Sequence, residues 1–159
     1  MATQEFSRSL PMMLYRALDT VMPRFRTIFN EFGLTEQQWR VLRVLWEQED
    51  IAFHALAGTT LIPAPSLVGV IDRLSKAGLV ERRRSEADRR KVSVRATRKG
   101  QALEGRVRPR VEQAYAELRG AIDRNEWKQL IDSLDRLASI GQDGTNEKTT
   151  DRRKRKTGT

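Results

Sequence analysis

In the stretch "PSLVGVIDRLSKAGLVERRRSEADRRKVSVRATRKG" (65–100) the apolar period changes from that of a helix to that of a strand within a few residues. Leu67, Ile71 and Leu74 recur at helical spacing, and Gly78 follows as a stop. Residues 79–84 and 91–96 then alternate as two short strands, and "SEADRR" between them has the composition of a turn. A helix running directly into a two-stranded hairpin leaves few folds open. Charge narrows them further, because residues 85–100 carry six Arg or Lys against two acids. With Val92 and Val94 holding the strand to a core, Arg89, Arg90, Lys91 and Arg95 are left on the turn and the outer face.

Helical patterns lie on both sides of this unit. From Leu14 the apolar residues fall at 14, 18, 21, 25, 28 and 32, and Gly33 ends the run. Pro23 lies inside it and predicts a kink. "LTEQQW" (34–39) starts a second helix, with Thr35 as cap, Gln38 reaching back and Leu34 packing on Trp39, and it extends to about Gln48. A short helix at "FHALAGTT" precedes the one over 63–78. Beyond the hairpin, Thr97 caps a long helix to about Ile122, with Leu103, Val107, Val111, Ala114 and Leu118 on its seam and Pro109 predicting a bend. Asp123 and Glu126 repeat the capping pattern for a last helix, whose seam is Trp127, Leu130, Leu134 and Leu137. After Gln142 the composition predicts loss of order.

The expected fold is mainly α: a winged helix-turn-helix over 35–96, a helical dimerisation region from 1–34 plus 97–142, and a disordered basic tail over 143–159. Its outer helices have more apolar seam than the small central module can cover, and a symmetric homodimer is the simplest closure. The formal charge of +9 falls to +4 once residues 148–159 are set aside, so the body of the chain is itself basic. That balance favours anionic partners, with nucleic acid ahead of a membrane. No stretch approaches a transmembrane length and "MATQEFSRSL" does not resemble a signal peptide, so a cytoplasmic protein is expected. The absence of cysteine excludes disulfides, thiolate metal sites and cysteine nucleophiles. With one histidine, no glycine-rich phosphate loop and no metal-ligand spacing, neither an enzyme nor a cofactor is expected.

On the fourth helix, Ser66, Gly69, Arg73 and Lys76 cluster nearly opposite the apolar face. A small or basic face of this kind suits a DNA major groove. Ser66 can reach a phosphate or base edge, Gly69 permits close approach, and Arg73 can bond a guanine with two hydrogen bonds. Pro63 and Pro65 set the direction of the helix and leave its first amides open to a phosphate. Arg84, Arg89, Arg90 and Lys91 complete the cationic surface beside it, each phosphate contact releasing counterions. Asp88 is better suited to holding Arg90 or the turn than to facing DNA.

These residues resemble the MarR family of winged-helix transcription regulators. The carrier is "DRRKVSVRATRKG", which is similar to the family's D-x-R, alternating strand and T-x-x-G at Asp88, Arg90, Thr97 and Gly100; Ala96 stands where leucine is usual. The likeness covers roughly residues 10–141. "LTEQQWRVLRVL", "FHALA" and "PSLVGVIDRLSKAGLVERRR" are similar to the family's regulators of homoprotocatechuate degradation. The resemblance implies a dimer joined through its first and last two helices, a palindromic operator in double-stranded DNA, and release by a small, often aromatic, acid.

For such an effector, Tyr15, Arg16, Met22, Arg26, Trp39, Trp46 and His54 offer the required mixture of aromatic, soft and cationic side chains. Each also has a plainer reading: Trp39 and Trp46 as core, His54 as an ordinary helix residue. The function expected is a sequence-specific regulator, a repressor released by an aromatic acid. An architectural DNA-binding protein with the same basic surface and no effector remains the alternative.

Overall fold

The computed structural model describes residues 5–84 and 92–154. A 3₁₀ turn at Phe6–Arg8 leads into α1 (Leu10–Glu31), followed by α2 (Glu36–Glu47), β1 (Ile51–Ala52), α3 (Phe53–Thr60), α4 (Ala64–Lys76), β2 (Val80–Arg84), β3 (Val92–Ala96), α5 (Arg98–Gly120) and α6 (Arg124–Lys154). The three strands form one antiparallel sheet in the order β1–β3–β2, with Ile51 opposite Val94 and Val80 opposite Ala96. This is the winged helix-turn-helix architecture that the change of period predicts. β1 escaped the sequence reading because two residues are too few to show an alternation.

Local chemistry sets the ends of these elements. Gly33 and Gly78 take φ of +68° and +72°, a conformation that glycine adopts without steric cost, and the chain reverses there after α1 and α4. At Thr35 the expected capping box is present: its hydroxyl accepts from the Gln38 amide at 3.2 Å, and its own amide donates to Gln38 Oε1 at 2.9 Å. The Asp123 carboxylate accepts from the Asn125 amide at 2.7 Å, and Glu126 accepts from the Asp123 amide at 3.0 Å, which starts α6 in the same manner. Both proline-containing helices, α1 with Pro23 and α5 with Pro109, run on as continuous helices.

The chain divides into two compact units after Ala114, inside α5, rather than at the boundaries near 34 and 97 suggested by the sequence. The cause is the packing of α1 and the first part of α5. Phe25, Ile28 and Phe29 of α1 are buried, as are Leu103, Val107, Val111 and Ala114 of α5, in one core with Val41, Leu42 and Leu45 of α2, Leu56 of α3 and Leu67, Val70, Ile71 and Leu74 of α4. Phe29 stacks on Trp39 at 4.7 Å between ring centroids, and Trp39 meets the edge of Trp46 at 5.4 Å. On the surface Arg110 grips Glu31 with two hydrogen bonds of 2.8 and 3.1 Å and holds that carboxyl below its ordinary range. In the second unit α6 continues to Lys154, past Gln142 where composition predicted loss of order. The segment lacks proline and carries Glu, Lys and Arg, all adequate helix formers.

The end of the hairpin is tied to α5 by a tight junction. Thr97 donates its amide to the Leu79 carbonyl at 3.0 Å and its hydroxyl to the Gly78 carbonyl at 2.6 Å, while the hydroxyl accepts from the Gly100 amide at 3.1 Å. Trp46 donates its indole N–H to the Gly100 carbonyl at 2.9 Å. A Cβ on Gly100 would lie 2.1 Å from the Leu79 carbonyl oxygen, so the backbones can meet only if this residue is glycine. The threonine and glycine of T-x-x-G thus have a structural role. Gly100→Ala is expected to cost about 1–3 kcal/mol through forced backbone displacement. Gly105→Ala, one turn further along α5 with open space around its Cα, should instead stabilise by about 0.5–1 kcal/mol. Urea denaturation of both variants checks the contrast; equal midpoints would refute it.

Candidate nucleic-acid interface

Helix α4 is held from behind and from one side. Leu67, Val70, Ile71 and Leu74 are fully buried, whereas Pro65, Ser66, Asp72, Arg73 and Lys76 are exposed. Pro63 occupies the N-cap position, and its carbonyl accepts from the Leu67 amide at 2.9 Å. The turn before it is anchored through buried Ile62 and through Arg40 of α2, which donates to the Thr60 carbonyl at 3.0 Å. Leu61 in that turn adopts a left-handed backbone with φ of 53° and leaves 81% of its surface exposed.

Several expected residues have more particular roles than their side chains alone suggest. A Cβ on Gly69 would come within 3.5 Å of an Arg73 guanidinium nitrogen, so the space over this glycine receives that side chain and not simply an approaching ligand. Arg95 was expected on the outer face of the hairpin, beside the cations of the turn. It pairs there with Glu81, its partner across β2 and β3. Arg84 is exposed at the end of β2. Asp88, Arg89, Arg90 and Lys91 lie outside the described residues.

Sequence reasoning passed over two features of this surface. Asp72, exposed on α4, forms an ion pair of 2.7 Å with Arg82 of β2, which also donates to the Val68 carbonyl at 3.4 Å. The pair ties the outer side of the helix to the first hairpin strand and balances an acid on an otherwise cationic surface. Its signal was the i-to-i+10 placement of opposite charges across a tight helix-to-strand turn. Val68 is the second feature: an apolar side chain 43% exposed on the outward half of α4.

The residues proposed for an effector are only partly assembled. Trp39 and Trp46 are half-buried neighbours in the aromatic column, but the Trp46 N–H is engaged by Gly100. Arg26 is exposed and donates to Glu36 at 3.0 Å, at the start of the helix carrying Trp39. Met22 is half-buried one turn before Arg26, while Tyr15, Arg16 and His54 are exposed on α1 and α3. Among the described residues no group of His, Cys, Asp or Glu is placed to hold a metal ion.

A helix whose buried face seats it on a small core, with its cationic face outward beside an arginine-rich hairpin, defines a winged helix-turn-helix protein of the kind built to meet nucleic acid. Comparison with known proteins makes the assignment specific. Residues 34–92 match the MarR family, and the chain belongs to that family of transcriptional regulators. The homoprotocatechuate degradative operon repressor of Escherichia coli is 36% identical over 133 residues, covering 84% of this chain and 90% of the relative. NadR in complex with 4-hydroxyphenylacetate superposes with a TM-score of 0.75 at 36% identity, covering 88% of this chain and 99% of that one. The transcriptional repressor CouR bound to a 23-mer DNA duplex superposes with a TM-score of 0.79 at 29% identity, covering 87% and 98%.

The left-handed Leu61 is open to a direct test. A branched L-residue in this conformation carries a steric cost, and its exposed side chain contributes little burial in return. Leu61→Asn should raise stability by roughly 0.5–1 kcal/mol, a shift of about 2–4 °C in Tm. Calorimetry that finds Tm unchanged or lowered would mean the leucine has a compensating contact.

Proposed function

We propose that this chain is a dimeric, sequence-specific DNA-binding regulator, a repressor whose palindromic operator is released by a small aromatic acid. The observation that carries the reading is the division of α4 into a fully buried apolar face and an exposed face bearing Ser66, Arg73 and Lys76, with Arg84 on the adjoining strand. In this reading Arg73 contacts a base edge and Ser66, Lys76 and Arg84 contact phosphates, and the sequence-derived cations Arg89, Arg90 and Lys91 add to the same footprint. The likeness to a repressor bound to duplex DNA supports it.

Dimerisation is supported by apolar surface on the outer helices. Leu10, Met13 and Leu18 of α1 are exposed, as are Leu130, Ile131, Leu134, Leu137 and Ile140 of α6. Stripes of this kind call for a partner, and a second copy closes the assembly symmetrically. Two reading helices then address half-sites about one helical turn apart, on the order of 10 base pairs. In this reading the dimer works in the cytoplasm, where its operator lies.

The effector is supported by the relative named for homoprotocatechuate degradation and by the 4-hydroxyphenylacetate complex. Its pocket is assigned to the surroundings of Arg26, Met22, Trp39 and Trp46, with Tyr15, Arg16 and His54 as further contacts. The acid lowers DNA affinity by preferring a dimer with wrongly spaced reading helices, a coupling of typically ~1–3 kcal/mol.

Arg73→Ala should relax discrimination at one base position by about 1–3 kcal/mol, whereas Arg84→Ala should weaken selected and random duplexes alike and reduce the salt slope by roughly one. Gel shifts on both duplexes at several salt concentrations measure this, and identical behaviour of the two variants would defeat the division of roles. Hydroxylated benzoates, phenylacetates and cinnamates titrated into the complex should include at least one that releases it. No release by any of them would leave the effector-independent architectural protein as the better reading.

A further inference from the structure

We infer that Val68 is a specificity-determining residue, whose side chain reads the 5-methyl group of a thymine in the major groove. The inference rests on the proposed function and deepens it. Of the larger apolar residues of α4, Leu67, Val70, Ile71 and Leu74 are at 0% exposure, and Val68 alone turns outward, at 43%. It lies beside Gly69 and one turn before Asp72, on the exposed half of the helix. Within that half its neighbours on the adjoining turns are small or polar: Ala64, Pro65 and Asp72. Valine is a poorer helix former than alanine, so helix stability gives no reason for it here.

The position is fixed by its surroundings. Arg82 holds this side of α4 through the Val68 carbonyl and the Asp72 carboxylate, so the valine lies where helix and first hairpin strand come together. Helical side chains lean toward the N-terminus, which extends the valine methyls over the turn containing Ala64 and Pro65. The result is a small apolar patch near the leading end of α4, on the flank of its exposed face that turns toward β2, with Ser66 and Arg73 on the opposite flank of the same face. On the major-groove edge of DNA the thymine methyl is the apolar feature that such a patch complements. A cytosine carries only hydrogen where thymine carries the methyl group, so the contact discriminates as well as attracts.

The test uses the full chain. Duplexes are selected from a random pool by the wild-type protein, and each thymine of the preferred sequence is replaced in turn by uracil, which removes only the methyl group. At one position in each half-site the replacement should weaken wild-type binding by roughly fourfold, the worth of one buried methyl. For Val68→Ala the same replacement should have no effect, and selection by that variant should lose the thymine preference there. The variant removes an exposed side chain, and its unfolding midpoint confirms that it is intact. If uracil is tolerated everywhere, or weakens both proteins equally, the valine does not read a methyl group, although the sequence preference still stands. If selection returns no preferred sequence, the regulator reading fails and this inference fails with it.

Discussion

The junction around Thr97 and Gly100 is the constraint on which the rest of the structure depends. In the space of four residues one hydroxyl bridges the Gly78 carbonyl and the Gly100 amide, one amide closes on Leu79, and one glycine lets the start of α5 pass against the same carbonyl. These bonds fix where α4 has ended, where β2 begins and where α5 departs. The indole of Trp46 adds the second helix to the same point. Displacement here would move α4 and the hairpin together, since both are connected to the core through these few residues.

On this surface a count of basic residues overstates the positive charge offered to a partner. Arg82 is paired with Asp72 and Arg95 with Glu81, so two of the strand arginines hold the hairpin to the helix and to itself. Arg26, Arg43 and Arg110 are likewise paired with nearby acids. Exposed ion pairs contribute little to stability, but they decide which cations point outward and in which direction. The surface left to Arg73, Lys76 and Arg84 is therefore narrower and more directional than a net charge of +9 suggests.

Much of this organisation could be read from the chain because strong local signals agreed with the tertiary structure. The seam of Leu67, Ile71 and Leu74, the Thr35 and Gln38 capping box and the glycines at 33 and 78 mark elements that fold as their periods imply. What stayed hidden depended on contacts between distant residues. β1 exists only because Ile51 and Ala52 meet β3 more than forty positions away. The pairing of Arg95 with Glu81 required the strand register, and the place of Arg73 over Gly69 required a rotamer, neither of which a spacing argument supplies. Propensity misled at the far end of α6, where an absence of apolar residues is compatible with helix as well as with disorder. The effector residues were the least legible, because a pocket is a property of several elements at once and Tyr15, Arg16 and His54 share no contact pattern in the sequence.

The tryptophans have a consequence of their own. Two of the three sit edge to face in the aromatic column, one of them hydrogen-bonded to the point where the hairpin joins α5, and the third, Trp127, belongs to α6 in the other unit. The molecule therefore carries two native fluorophore sites, and emission from single-tryptophan versions would separate changes near the hairpin base from changes in the terminal helix without any attached label.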